Sequence, residues 1–475
     1  MRFRFVQWIY FGLFLLLVIV LSCAEDITGQ KNQNIPPETT VFVKADTLNL
    51  TQSVQTIYWD GQDPDGFVVK FLYTWKENPG SADWDTTTQR TETFPLKIGG
   101  ADTSYRFQVK AVDNDGAEDP TPAVQVFPIK NTPPAIRWTT LSAIPDTTFT
   151  VASFVWSASD LDGDSTILTF EYSLDNTQDW KSISGTRRQL ILNADSGLTA
   201  GDHAFYIRAV DVADARSPII RMPEDTTKFW YVKHPTGRYL LIDDFADESA
   251  ISSYPDAFYK GLLDTLLPSL GQDYSYWNIE QQFPSSVVQF TETLKLFDRI
   301  IWYTDFIKES DPHFIGAQVA IPQFRNKTPN PGKIIYTVKF NQGFGSQGDP
   351  LGFTPVDSVG SRYDLSNNSL YYVDSAYTSH PDYPDPLFPL PELKSSNTSI
   401  LFGLRGLRPK ATSVPMYRFD DPNSTNDPLF VMIGKNDNTD EYDFVMAGTP
   451  LNQLNGNKNI GEFFKIVFRD IFTLD

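Results

Sequence analysis

Apolar positions along the chain follow two different periods, and the change between them falls near residue 235. Before it, stretches such as residues 67–75 and 168–174 place an apolar or aromatic side chain at every second position, the period of a strand with one buried face. After it, Tyr239 to Ile242 is an unbroken apolar run that ends in Asp243 and Asp244. A run of this kind predicts a parallel strand buried on both faces, opening at its carboxyl end into a loop. Phe258, Leu262, Leu263, Leu266 and Leu267 then recur at helical spacing over residues 256–267. The alternation continues with a strand over 274–279, a helix capped by Ser285 or Ser286 and running to Leu296, a strand over 298–304, a helix over 312–325 and a strand over 333–338. Strand and helix alternating through short loops predict a parallel sheet wrapped on both faces, Rossmann-like or flavodoxin-like. Residues 352–442 are too long for a loop and too rich in Pro and Asn for helices. Strand-like pieces at 370–373, 400–402 and 429–433 predict added hairpins or an extra layer there. An apolar stripe over 460–472 predicts a terminal amphipathic helix.

The first half repeats itself. Trp59 with the turn Asp63 to Gly66 recurs as Trp156 with Asp160 to Gly163, at an offset of 97 residues, and the late strand ending in Asp113 recurs at Asp211, at an offset of 98. That period is the length of one immunoglobulin-sized sandwich. Asn131 to Pro134 is the joint, because two prolines remove ladder donors and hold the chain extended. The strand Trp, the Asp-x-Asp-Gly turn and the Ala-Val-Asp strand resemble fibronectin type III and related Ig-like modules, over residues 38–130 and 131–235. The expected fold class is therefore multidomain: two β-sandwiches followed by an α/β doubly wound domain, 236–475, with a β-rich insertion at 352–442.

Charge narrows the partners. With 59 acidic and 39 basic residues the formal charge is -20, so nucleic acid would be repelled. The single cysteine, Cys23, excludes a disulfide within the chain. Arg2 and Arg4, the apolar run to Leu21, and Ser22 before Cys23 resemble a bacterial lipoprotein signal. That resemblance implies a signal peptide over 1–22, lipid on Cys23, a polar tether over 23–37, and a cell-envelope protein held at a membrane, periplasmic or at the cell surface. An uncleaved membrane anchor is the alternative reading of the run.

Acidic turns supply one candidate site. In the fibronectin-like strand order Asp160, Asp162, Asp164, Asp211 and Asp214 share one pole, where carboxylates suit calcium; plain Asp/Gly turns are the alternative. The C-terminal domain supplies another. Its opening run to Phe245, the strands at 276–279 and 297–304 and the run Phe444 to Leu451 resemble glutamine-amidotransferase-like domains of bacterial secreted and lipid-anchored proteins. The resemblance implies a cysteine nucleophile, which this sequence lacks after Cys23. Asp243, Asp244 and Asp305 remain as ligand candidates, since ligands of open α/β sheets bind beyond the strand ends. One of the paired aspartates is expected to face outward and the other a neighbouring loop, and His313 is expected to act at a helix start beside Asp311. Tyr371, Tyr372, Tyr377, Tyr383 and Phe388 can stack on sugar or fill a protein groove, or can pack the insertion. The expected role is non-catalytic binding of a protein or carbohydrate; the alternative is a hydrolase using the strand-end carboxylates.

Cys23→Ala is expected to leave the precursor uncleaved and unlabelled in cells fed a tagged fatty acid. A labelled, processed variant would contradict the lipoprotein reading.

Overall fold

The computed structural model describes residues 33–42, 54–96, 103–129, 131–246, 253–307, 309–340, 343, 348–365, 370–373, 389–396, 401–419 and 429–472. Cys23, the signal segment, Tyr377, Tyr383 and Phe388 lie outside the described residues, as do the side chains of Asp305, Tyr371 and Tyr372. Among the described residues no helix is long and apolar enough to cross a membrane.

The chain forms two compact units. The first holds the described residues up to Thr132 with the short turns 161–166 and 212–214, and the second holds the remaining described residues. In the first, a three-stranded sheet runs Glu38–Phe42, Val54–Gln62, Thr91–Pro95, and a four-stranded sheet runs Asp85–Thr87, Val68–Thr74, Thr103–Asp113, Ala123–Ile129, all antiparallel. Alternation supplies the core: Phe107, Val109 and Ala111 are wholly buried between the sheets with Ile57, Trp59 and Phe71. The indole N–H of Trp59 donates to the Gln89 carbonyl at 2.9 Å, which removes the cost of burying it.

The second sandwich repeats the same strand order. Gln189–Asn193, Val151–Ser159 and Ala135–Trp138 form one sheet; Lys181–Ser184, Ile167–Leu174, Phe205–Asp211 and Ile220–Met222 form the other. Trp156 occupies the place of Trp59 in its core. Lys110 lies over Trp84 at 4.3 Å and Arg208 over Trp180 at 4.2 Å, so even the cation–π lid is repeated. The sequence repeat is thus a repeat of topology.

Beyond residue 235 the second unit carries an eleven-stranded sheet. Its strands are β1 (Tyr239–Asp244), β2 (Tyr274–Asn278), β3 (Arg299–Ile307), β4 (Lys333–Phe340), β5 (Val356–Leu365), β6 (Leu370–Val373), β7 (Leu393–Lys394), β8 (Leu401–Pro409), β9 (Ser413–Phe419), β10 (Leu429–Lys435) and β11 (Tyr442–Ala447). The order is β2-β1-β3-β4-β11-β10-β9-β6-β7, with β8 paired to β5 and touching β10. β2, β1, β3, β4 and β11 are parallel; from β11 outward every pairing is antiparallel. The insertion therefore extends the parallel sheet sideways rather than adding a layer. β5, β7 and β9 go beyond the strands expected there.

Helices cover both faces. α1 (Ser253–Ser269) and α5 (Ile460–Ile466), which continues as a π-turn over Val467–Ile471, close one face with Tyr259, Leu263, Phe463, Phe464 and Phe468. The short α2 (Ile279–Gln282) follows β2 directly, and α3 (Val287–Lys295) with α4 (Pro312–Arg325) closes the other face with Phe290, Leu294, Phe314, Ile321 and Phe324. Gly237 opens the domain at φ 67°, and a Cβ there would stand 2.0 Å from the Asp273 carbonyl oxygen, so only glycine fits the entry to β1. Arg325 binds Asp443 through two nitrogens, at 2.5 and 2.9 Å, and pins α4 to the start of β11.

The second sandwich is more than a spacer for this sheet. Phe149 leaves it to pack in the core beneath the eleven-stranded sheet, 5.1 Å from Phe297 and 6.0 Å from Trp277, with Lys233 Nζ 4.4 Å over its ring. Gln289 of α3 accepts the Ser153 N–H at 3.2 Å, and Lys233 donates to the Tyr276 carbonyl at 2.8 Å. The smallest piece expected to fold like the native chain therefore begins near Pro133 and not at 236. Phe149→Ala is expected to cost about 3–5 kcal/mol and to split the calorimetric transition of this unit in two. A single unshifted transition would contradict this packing.

Candidate functional site

A strand buried on both faces sends consecutive side chains to opposite sides, and β1 does this at its last two residues. Neither aspartate faces outward as the sequence had suggested: Asp243 is 6% exposed and Asp244 3%. Asp243 shares the face of Leu241. Its Oδ2 accepts from the Tyr276 hydroxyl at 2.5 Å and its Oδ1 from the Phe245 N–H at 3.1 Å. Burial raises its pKa above the usual carboxylate range, opposed by the hydrogen bonds from Tyr276 and Phe245. Burial and the nearby Asp243 charge in turn raise the Tyr303 phenol.

Asp244 shares the face of Ile242. Its Oδ2 accepts from the Trp302 indole N–H at 2.9 Å, and its Oδ1 lies 2.6 Å from His313 Nδ1. Burial pushes the carboxyl up to about 7 against the opposing pull of His313 and Trp302. For His313 burial acts downward, but Asp244, Asp311 and Glu280 outweigh it and the imidazole holds its proton more tightly than usual.

Local sequence explains how His313 arrives. Asp311 caps α4 by accepting the N–H groups of His313 and Phe314, with Pro312 at the first helical position. The cap is thus Asp311, which frees the His313 ring to turn back onto Asp244, where Phe283 lies against it at 4.3 Å. Glu280, in the short α2 after β2, brings an Oε1 to 3.6 Å from His313 Nδ1. Donor atoms of Asp244, Glu280 and His313 all lie within 4.8 Å of one another, close enough to share a cation.

Asp305 lies in β3. Asp162 Oδ2 accepts both the N–H and the hydroxyl of Thr132 at 2.6 Å, and Asp211 Oδ1 accepts the Ala215 N–H at 2.8 Å, so each also shapes its turn. Asp164 opens a single 3-10 turn, Asp214 takes a left-handed φ of 66°, and Asp160 is buried. Calcium at this set stays a proposal. Sequence reasoning missed Glu280, Tyr276 and Trp302, and assigned His313 to the helix start alone. Its usable signal was a histidine placed just inside a capped helix that begins at the carboxyl end of a parallel strand.

No family model matches the chain, and no curated protein matches it. Among solved structures it is similar to the fibronectin(III)-like modules of Clostridium thermocellum CbhA (19% identity over 39% of this chain and 87% of that one, TM-score 0.18). It is similar also to a two-domain fibronectin type III segment of chicken tenascin (14%, 40% and 97%, 0.22) and to the PKD1 domain of the Vibrio cholerae metalloprotease PrtV (17%, 20% and 99%, 0.15). The sandwich assignment itself rests on the strand pairing.

The two aspartates should behave as independent sites. In a double-mutant cycle, Asp244→Asn with His313→Ala is expected to show a coupling above about 1 kcal/mol, whereas Asp243→Asn with His313→Ala adds to within about 0.5 kcal/mol. Equal coupling in both cycles would contradict the opposite-face geometry.

Proposed function

We propose that this chain is a lipid-anchored protein of the bacterial cell envelope that binds a protein or carbohydrate partner rather than turning over a substrate. In this reading Cys23 carries the lipid and the segment up to 37 is a tether. The first sandwich is a fibronectin-like spacer. The second sandwich supports a doubly wound, amidotransferase-like domain without the cysteine nucleophile of such domains, and ligand meets it at the carboxyl ends of β1 and β3.

The observation that carries the binding reading is how the strand-end carboxylates are used. Asp243 is held by Tyr276 and Phe245, and Asp244 by Trp302 and His313. Each aspartate sits in its own core, so the two do not face one another across a scissile bond as a paired acid and base must. Binding needs only shape and a few fixed polar groups, and a strand end locked from beneath supplies those. One observation favours hydrolysis instead: an imidazole oriented by a buried carboxylate at 2.6 Å is the arrangement of a general base.

A single pair of assays separates the two. The purified chain is expected to show no turnover of glutamine, ester or glycoside substrates, while a thermal-shift screen of envelope saccharides and peptides finds a stabilising ligand whose shift disappears in Glu280→Gln. Turnover that is abolished by Asp244→Asn with the fold intact would overturn the binding reading in favour of a hydrolase.

A further inference from the structure

We infer that Asp244, Glu280 and His313 form a divalent transition-metal site at the end of β1, with the indole of Trp302 as the group that orients its buried carboxylate. The inference deepens the reading above, since it rests on the strand end being the binding site and names what that site holds.

Donor chemistry comes first. One imidazole nitrogen and two carboxylate oxygens, from three separate segments, converge within 4.8 Å. This is a mixed nitrogen and oxygen set, which suits zinc, manganese or ferrous iron better than calcium or magnesium, whose sites are built from oxygen alone. Donors about 2.1 Å from a tetrahedral ion stand roughly 3.4 Å from one another. Nδ1 of His313 is 3.6 Å from Glu280 and 2.6 Å from Asp244. Glu280 already stands at that spacing, and Asp244 must withdraw by under an ångström as the shared proton gives way to an ion. Three protein donors leave a fourth position for solvent or for a donor atom of the ligand.

Support from behind the donors comes next. Metal-binding carboxylates and imidazoles are held by partners of their own. Trp302 donates to the other oxygen of Asp244, and Phe283 lies against the ring of His313. Burial is graded in the sense an entry path requires, with side-chain exposures of 4% for Asp244, 16% for His313 and 32% for Glu280.

A second feature points to the same place independently. Tyr336, on β4, is wholly buried, packs 4.9 Å from Trp302, and has a hydroxyl with no hydrogen-bond partner. Burial first, and then the charges of Asp244 and Asp311, raise that phenol well above its ordinary range. A phenol left unpaired in a core is costly, and a polar group bound at the neighbouring strand end would offset that cost.

The test uses the full chain in detergent, stripped with a chelator and titrated with zinc against a chromogenic competitor. One equivalent is expected to bind, at least about tenfold more weakly in Glu280→Gln and in His313→Ala, with millimolar calcium failing to displace it. Glu280 is partly exposed, so its variant keeps the fold and the result interpretable. No stoichiometric zinc, or zinc held unchanged by both variants, would overturn the metal site. If zinc fails to bind while a saccharide or peptide still stabilises the chain, the metal site falls and the binding reading stands; zinc bound at one equivalent with no such stabilisation does the reverse.

Discussion

Ending a strand that is buried on both faces in two aspartates imposes a constraint that the rest of the C-terminal fold must meet. Consecutive side chains point to opposite cores, and an unpaired carboxylate in either is expensive by several kcal/mol. Each therefore needs its own partners. On one face β2 provides Tyr276; on the other, β3 provides Trp302 and the start of α4 provides His313. The register that sets Ile242 beside Trp302 and Leu241 beside Tyr276 is what brings these partners to the strand end. A slip of one residue would exchange the two cores and leave both carboxylates unpaired.

Support for that register reaches outside the α/β domain. Phe149 and Ser153 of the second sandwich touch Trp277 of β2, Gln289 of α3 and Phe297 just past α3. At the far edge, the antiparallel strands beyond β11 continue the sheet and bury Met416, Tyr417, Phe430 and Val431 against α5. The strand end is thus a rigid platform carried by several packed elements, a suitable base for side chains that must hold fixed positions.

Much of this was legible in the sequence, and the reasons are physical. The repeat of Trp59 at Trp156 and of Asp113 at Asp211 could be read because core and turn residues recur at a fixed period. The run from Tyr239 to Asp244 could be read because a doubly buried strand has no polar alternation. What stayed hidden depends on distance along the chain. His313 sits 69 residues from Asp244, and locally Asp311, Pro312 and His313 read only as a helix start. Glu280 lies two residues past Asn278 in the short α2, with nothing to mark it. β5 carries Asp357, Ser358, Gly360, Ser361 and Asp364, which hides its strand character; it is held by pairing to β8. Phe149 looks like an ordinary sandwich residue, and only the docked domain shows why it is aromatic.

The account stands or falls on the bond between β1 and α4. Long-range nitrogen–proton NMR of the chelator-treated chain, with the His313 resonance assigned by its absence in His313→Ala, reads the state of Nδ1 directly. The account predicts a proton held on Nδ1 at neutral pH in a strong hydrogen bond, lost or weakened in Asp244→Asn and untouched in Asp243→Asn. An imidazole that titrates as a free histidine, or that responds to Asp243 as it does to Asp244, would contradict it.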